Sequence, residues 1–234
     1  YRLDARWSST VSFKSLKPAV RFLEDGNILP GSEKGLMLPF KAFNLRGVNV
    51  RIVKIYENNI LQFFQENQYG GDDDIKRVGR IVYHRDIELT TDKPVDRGLW
   101  NIYSLDLTRM IETDPGAIYR VQINFRRSQS LYPCDESQEE EVPDPAGQMV
   151  ETTVKENPGD MNYWAYRGYN HYSRDDDFNW RERNDPCKKS YYLRYRKAIA
   201  KNLLASNLGI IAKRGKDHTM FFAVTDLKTT RPLA

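Results

Sequence analysis

Strand-forming residues dominate residues 35–65, which read GLMLPFKAFNLRGVNVRIVKIYENNILQFFQ. β-Branched and aromatic side chains of this kind fit the pleated, half-buried surface of a sheet. The tight turn at Arg46-Gly47 separates two such strands, residues 36–44 and 48–56. No group of side chains typical of a catalytic site interrupts the run. Residues 35–65 therefore predict the wall of a β-sandwich.

Alternation of apolar and polar residues predicts strands elsewhere in the chain. It is clearest in residues 118–126, and residues 81–89 and 103–107 repeat it, with a short strand expected at residues 20–23. In residues 118–126 the apolar set is Tyr119, Val121, Ile123 and Phe125, and the polar set is Arg120, Gln122, Asn124 and Arg126. A strand of this kind has one buried and one wet face.

Local departures from the alternation carry three further predictions. Val53 and Ile55 are out of phase with the preceding apolar residues, which indicates a bulge or a strand that becomes buried on both faces. After Asn58-Asn59 a short strand is expected through residues 61–64. Helical turns are expected at residues 191–202.

The fold class predicted is all-β, a fibronectin-like antiparallel β-sandwich. About seven strands connected by short turns lie between residues 17 and 133. The regular pattern stops at Cys134 and returns after Leu203. No apolar run approaches the roughly 18 residues of a membrane span. The chain opens on Tyr1 with neither an initiator Met nor a signal-peptide pattern, so we expect it to be a piece of a larger protein.

Two cysteines, Cys134 and Cys187, each follow a proline at an edge of the irregular segment. A disulfide between them is the economical interpretation, and two free buried thiols are the alternative. Because 53 positions separate the two residues, loop-closure entropy predicts about 4 kcal/mol of stabilisation from such a bridge. The bridge would close the base of a long insert.

The insert differs in charge and composition from the rest of the chain. Residues 135–190 hold 14 acidic and 7 basic residues, net −7, which leaves 29 basic and 18 acidic residues elsewhere, net +11. Its aromatic residues are Tyr163, Trp164, Tyr166, Tyr169, Tyr172, Phe178 and Trp180. Tyr and Trp suit protein interfaces and sugar rings. We expect the insert to pack on its own domain or a neighbour, or to contact a glycan or partner protein. Its acidity disfavours nucleic acid.

Other chemistry finds little support in the sequence. The histidines His84, His171 and His218 lie far apart without metal-ligand spacing, and no nucleophile elbow or phosphate loop is present. The acidic triplets at residues 72–74 and 175–177 lack the EF-hand spacing and are interpreted as solvated. The sequence therefore predicts a protein that is not an enzyme, with no cofactor and no metal.

Five stretches together resemble one family, the bacterial alpha-2-macroglobulins, in particular the large cell-envelope proteins of the Bacteroides group. They are KPAVRF at 17–22, LMLPFKAFNL at 36–45, VRIVKIYENN at 50–59, GAIYRV at 116–121 and SNLGIIAKRG at 206–215. The resemblance implies four parts. These are the end of one macroglobulin-like domain (1–16), a complete sandwich domain (17–134), an insert or linker (135–202) and the first strands of the next domain (203–234).

The resemblance also implies a function. Alpha-2-macroglobulins are broad-range endopeptidase inhibitors that trap proteases after bait cleavage and a change of shape. The chain would be a non-catalytic structural module, with adjacent domains and, through the whole protein, target proteases as partners. It would lie in the cell envelope of the bacterium, periplasmic or on the surface, as part of a lipoprotein anchored through an upstream segment, without inserting into the membrane itself. The alternative is a surface module that binds a glycan or partner protein through its aromatic insert.

Two functional motifs of the family do not transfer to this sequence. The family's thioester forms in a Cys-Gly-Glu-Gln-type motif, whereas residues 134–138 read CDESQ, with the glutamine one position too far. A protease-sensitive bait segment at residues 138–172 is disfavoured because the family carries its bait elsewhere. Both reactive parts are therefore expected outside this chain.

Overall fold

The computed structural model of the 234-residue chain describes residue 9 and residues 16–29, 35–89, 96–112, 114, 116–134, 178–192 and 198–233. Most of the predicted insert, residues 135–177, and residues 1–8 lie outside the described residues. Among the described residues, no helix is long and apolar enough to cross a membrane.

Ten strands form the described sheets. They are β1 (Ala19–Phe22), β2 (Ile28–Leu29), β3 (Met37–Phe43), β4 (Gly47–Ile55), β5 (Gly79–Glu88), β6 (Asn101–Asp106), β7 (Ile118–Asn124), β8 (Ile199–Ala205), β9 (Leu208–Arg214) and β10 (Met220–Asp226). One sheet has the order β1-β3-β6 and the second has the order β2-β8-β7-β4-β5. Strands β9 and β10 pair only with each other in these sheets. The pairs are antiparallel except the two-residue pair β2–β8, so the predicted all-β sandwich is confirmed.

The core lies between the two sheets. The three-stranded sheet contributes Val20, Leu38, Phe40, Ala42 and Leu105, and the five-stranded sheet contributes Val48, Val50, Ile52, Tyr119, Val121, Ile123 and Leu203. These residues follow the predicted alternation, because successive side chains of a strand point to opposite faces. The burial of one face of each strand explains why the sequence pattern is so clear.

The phase change in β4 has two physical causes. The pairing of β4 with β5 shifts between Ile52 and Val53, which is the predicted bulge. Val53 and Ile55 also belong to a second apolar cluster with Phe63, Ile75, Val78, Ile81 and Ile118. Two short helices, α1 (Ile60–Glu66) and α2 (Ile75–Val78), supply three of these residues. The end of β4 is therefore buried on both faces.

The strand predicted at residues 61–64 is wrong, because this segment is helix α1. Ile60 and Phe63, three residues apart, pack on the same cluster, whereas Leu61 is 83% exposed. Residues three apart share one face of a helix but opposite faces of a strand. A run this short and this apolar does not reveal its period.

Strand β8 crosses the boundary that the sequence placed between residues 202 and 203. It pairs along its length with β7, with Ile118 opposite Leu204 and Ile123 opposite Ile199. Of the residues expected to form helical turns, 191–192 lie in α3 (Lys189–Tyr192), 199–202 lie in β8, and 193–197 lie outside the described residues. The five-stranded sheet therefore includes a strand from beyond the insert. The sequence pattern does not indicate this strand, because the polar residues Lys201 and Asn202 interrupt its apolar residues.

Candidate functional site

The base of the insert is closed by a disulfide between Cys134 and Cys187, whose Cα atoms are 5.7 Å apart. Cys187 is buried, and its backbone NH donates to Asp185 Oδ1 at 2.9 Å. The expected bridge is therefore present in the structure. It joins the end of the chain that leaves β7 to the segment that leads into β8.

Residues 178–188 form a series of turns above the disulfide. The backbone NH of Asn179 donates to Ser190 Oγ at 2.8 Å, and Asn179 Oδ1 accepts from the backbone NH of Arg181 at 3.0 Å. These bonds hold Trp180 outward, 63% exposed, with the Arg183 guanidinium 5.7 Å from its ring centroid. The other residues of the predicted interaction surface, Tyr163, Trp164, Tyr166, Tyr169 and Tyr172, lie outside the described residues.

Two tyrosines of α3 attach the returning segment to the sandwich. The Tyr191 hydroxyl is buried and donates to Pro18 O at 2.9 Å. The Tyr192 ring meets Phe125 edge-on at 6.2 Å between centroids, and its hydroxyl donates to Pro186 O at 2.6 Å. Burial raises the pKa of both hydroxyls above the ordinary value of 10.0. The segment that follows the insert is therefore packed firmly on the sandwich.

The buried Tyr191 hydroxyl predicts a loss of stability at alkaline pH. A tyrosine whose pKa is raised by folding stabilises the protein fully below its unfolded pKa of about 10, and this contribution declines as pH rises further. We expect Tyr191→Phe to remove part of that decline, up to about 1.4 kcal/mol per pH unit. At pH 7 the same variant should lose about 1 kcal/mol with its hydrogen bond. Urea unfolding between pH 7 and 11 measures both effects, and an identical alkaline decline in both proteins would contradict the assignment.

A buried polar cluster around Arg120 was not predicted. Arg120 is 7% exposed, although its position in β7 was assigned to the wet face. Its guanidinium donates to Asp72 Oδ2 at 2.7 Å and to Asn202 Oδ1 at 2.9 Å. Asn202 Nδ2 in turn donates to Tyr69 O at 2.6 Å and Gly71 O at 2.9 Å. The loop between α1 and α2 thus covers this face of the sheet and excludes water from it.

The first acidic triplet takes part in ion pairs and hydrogen bonds of this loop. Asp72 pairs with Arg120, and Asp74 lies 3.7 Å from Arg77. The backbone NH of Asp73 donates to Asn67 Oδ1 at 2.7 Å. Across the described ranges, no group of three or more His, Cys, Asp or Glu residues could hold a metal ion. The second triplet, residues 175–177, lies outside those ranges.

The histidines are separate from one another where the structure describes them. His84 Nε2 is 3.0 Å from Asn49 Oδ1 on the five-stranded sheet. His218 Nδ1 is 2.7 Å from Arg214 Nη2 at the turn of the β9–β10 hairpin. His171 lies outside the described residues. These two positions serve local hydrogen bonding.

The hairpin of β9 and β10 carries apolar residues on both of its faces. One face has Leu208, Ile210, Ala212, Met220, Phe222 and Val224, and the other has Ile211, Phe221 and Ala223. Ile210, Ile211, Phe221 and Phe222 are each about two-thirds exposed. A two-stranded hairpin is marginally stable in water, and exposed apolar surface of this kind marks an interface.

No protein-family model matches the chain, and no curated protein matches it. Among solved structures it is similar to the Escherichia coli alpha-2-macroglobulin crystal structure spanning domains MG0-NIE-MG1. The identity is 17% and the TM-score 0.50, over 97% of this chain and 51% of that one. The chain thus spans about half the length of this structure, and the likeness is one of fold.

Two further structures of the same E. coli protein are similar at lower TM-scores. The crystal structure spanning domains NIE-MG1 has 14% identity and a TM-score of 0.47, covering 93% of this chain and 73% of that one. The cryo-EM structure of the native conformation has 20% identity and a TM-score of 0.42, covering 51% of this chain and 8% of that one.

Proposed function

We propose that this chain is a non-catalytic structural module of a bacterial alpha-2-macroglobulin. The whole protein would inhibit endopeptidases broadly, by trapping them after bait cleavage and a conformational change. The observation that carries the proposal is the likeness of fold to E. coli alpha-2-macroglobulin over 97% of the chain. The five stretches that resemble the family in sequence support the same assignment independently.

The β9–β10 hairpin supports a module that works beside neighbouring domains. One of its apolar faces would pack in the core of a sandwich, and the other would be covered by an adjacent domain. We assign the hairpin to the first strands of the next macroglobulin-like domain of the same polypeptide. Residues 1–16 are assigned to the preceding domain. The partners of this module are therefore its adjacent domains, and proteases meet it only through the whole protein.

The disulfide supports a location in the cell envelope. Disulfides persist in the periplasm and on cell surfaces but are rare in the reducing cytosol. A Bacteroides-type, lipid-anchored protein, as the resemblance in sequence implies, would expose the module to this environment. The competing assignment, a surface module that contacts a glycan or partner protein, stays a prediction. Six aromatic residues of the insert were predicted to make this contact, and of these six the structure describes Trp180.

Trapping by the full-length protein tests the proposal. After incubation with the full-length protein, an endopeptidase such as trypsin should still cleave a small peptide substrate but should lose activity on a large protein substrate. A deletion of residues 136–185 should retain trapping and lower only the melting temperature, because the module supports the fold of the inhibitor. If the wild-type protein is cleaved by the protease and yet leaves cleavage of the large substrate unchanged, the proposed function is wrong.

A further inference from the structure

A cationic surface surrounds Trp100 on the outer face of the three-stranded sheet. Arg21 of β1 lies directly opposite Lys41 of β3, which lies directly opposite Ile102 of β6. Residues opposite each other in antiparallel strands point to the same face. The Arg21 guanidinium carbon is 5.2 Å and Lys41 Nζ is 5.4 Å from the centroid of the Trp100 ring. Arg21, Lys41, Trp100 and Ile102 are called the Trp100 surface below.

The Trp100 surface combines two positive charges with exposed apolar area. Like charges directly opposite each other in a sheet destabilise it. Within the described ranges, neither Arg21 nor Lys41 has a carboxylate within 4.0 Å, although five other ion pairs form there. Trp100 is 38% and Ile102 is 64% exposed. An occupant that supplies both carboxylates and apolar side chains would relieve the repulsion and cover Trp100 and Ile102.

An open cavity of about 420 Å³ extends from this surface toward the base of the insert. Its lining includes Arg21, Phe43 and Trp100 together with Lys17, Pro18 and Tyr191. Two contacts join these last residues to the segment that returns from the insert. Lys17 Nζ donates to Asn184 O, and the Tyr191 hydroxyl donates to Pro18 O. The cavity therefore lies beside the point where the insert is fastened.

The insert has the composition that this surface requires. Residues 135–177 hold 12 acidic and 3 basic residues, net −9, and five aromatic residues, which are Tyr163, Trp164, Tyr166, Tyr169 and Tyr172. The segment has 43 residues, and its midpoint can reach roughly 70 Å from either end when extended. The segment begins directly after Cys134, which is bonded to Cys187, and ends directly before Phe178. Reach and charge both favour a contact within the same chain.

We propose that residues 135–177 bind the Trp100 surface of their own sandwich. Carboxylates of the segment pair with Arg21 and Lys41, and aromatic side chains of the segment enter the cavity beside Trp100. The neutralised pair removes the repulsion between β1 and β3. The contact does not depend on the proposed function, since it concerns only this chain.

Zero-length cross-linking of the intact, oxidised chain tests the contact. A carbodiimide joins a lysine amine to a carboxylate only when the two groups touch, and peptide mass spectrometry identifies the pair. We expect Lys41 to be joined to an acidic residue within 135–177 in the monomeric protein. The yield should fall in 1 M salt, where the screening length is about 3 Å.

Neutralisation of Arg21 separates this contact from chance proximity. Arg21→Gln retains Lys41, removes the like-charge pair across β1 and β3 and adds no carboxylate that the carbodiimide could join to Lys41. We expect it to lower the yield of the Lys41 cross-link about threefold, since one favourable ion pair is lost. Arg85→Gln is the matched control, because Arg85 is exposed and lies beside the ring of Tyr83 on the other sheet. It should leave the yield unchanged.

Three outcomes would overturn the proposal. The first is the absence of any cross-link between Lys41 and residues 135–177 in the folded, oxidised chain. The second is a cross-link whose yield falls equally in the Arg21→Gln and Arg85→Gln variants. The third is a cross-link of Lys41 only to acidic residues outside 135–177, which would assign the surface to another occupant.

Discussion

Loss of the Cys134–Cys187 disulfide is expected to lower the free energy of unfolding by about 4 kcal/mol. The bridge spans 53 positions of sequence, and the loop-closure entropy of that length sets the estimate. The structure adds a reason for the size of the effect. The bridge brings together the chain that leaves β7 and the chain that enters β8, two strands that pair in the sheet. Without the bridge, the pairing of β7 with β8 alone has to offset the entropy cost of closing the whole loop.

Urea unfolding of the oxidised protein and of the same protein in dithiothreitol measures this effect. The double variant Cys134→Ser with Cys187→Ser should match the reduced wild type and should not respond to dithiothreitol. That insensitivity separates the bridge from other effects of the reductant. An unfolding midpoint that is the same in oxidised and reduced wild type would show that the bridge does not stabilise β7–β8 pairing.

Replacement of Arg120 by Met is expected to cost about 3 kcal/mol. Removal of one partner of a buried ion pair leaves the other without compensation, at a cost of about 3–5 kcal/mol. We expect a cost at the lower end of this range because the Asp72 side chain is 32% exposed. The substitution also leaves Asn202 Oδ1 without its donor on β7. The loop between α1 and α2 should loosen as a result.

Two controls identify the origin of this loss. Arg85→Met makes the same chemical change at an exposed position of β5 and should alter stability by less than about 0.5 kcal/mol. Adding Asp72→Asn to Arg120→Met should restore part of the lost stability, because no uncompensated carboxylate then remains. Hydrogen exchange of residues 67–74 should accelerate in Arg120→Met. Equal losses from Arg120→Met and Arg85→Met would contradict the role of the cluster.

Some elements could be predicted because their signal is local. The alternation in β7 follows from a core that covers one of its faces, and the out-of-phase Val53 and Ile55 reported both the bulge and the second apolar cluster. The pairing of Cys134 with Cys187 could be proposed since two cysteines allow one bridge. Neighbouring residues in sequence were sufficient for the strand pattern and the bulge, and the number of cysteines was sufficient for the disulfide.

Other elements depend on partners distant in sequence. Helix α1 has an apolar composition that is compatible with a strand, and it is helical where Ile60 and Phe63 meet the same cluster. Strand β8 contains polar Asn202, whose place in the sheet becomes clear from its bonds to Arg120 and Gly71. No pattern within either segment specifies these contacts.

The sequence by itself determined that this chain forms a β-sandwich with an acidic, aromatic insert between two cysteines. Period-two burial and charge composition are properties of short stretches, so they can be interpreted without coordinates. Only the tertiary structure decided that Arg120 is buried, that β8 completes the sheet beyond the insert and that Arg21 and Lys41 meet at Trp100. Each of these depends on strands or loops brought together from separate parts of the chain, and the energy of such contacts has no signature in any one segment.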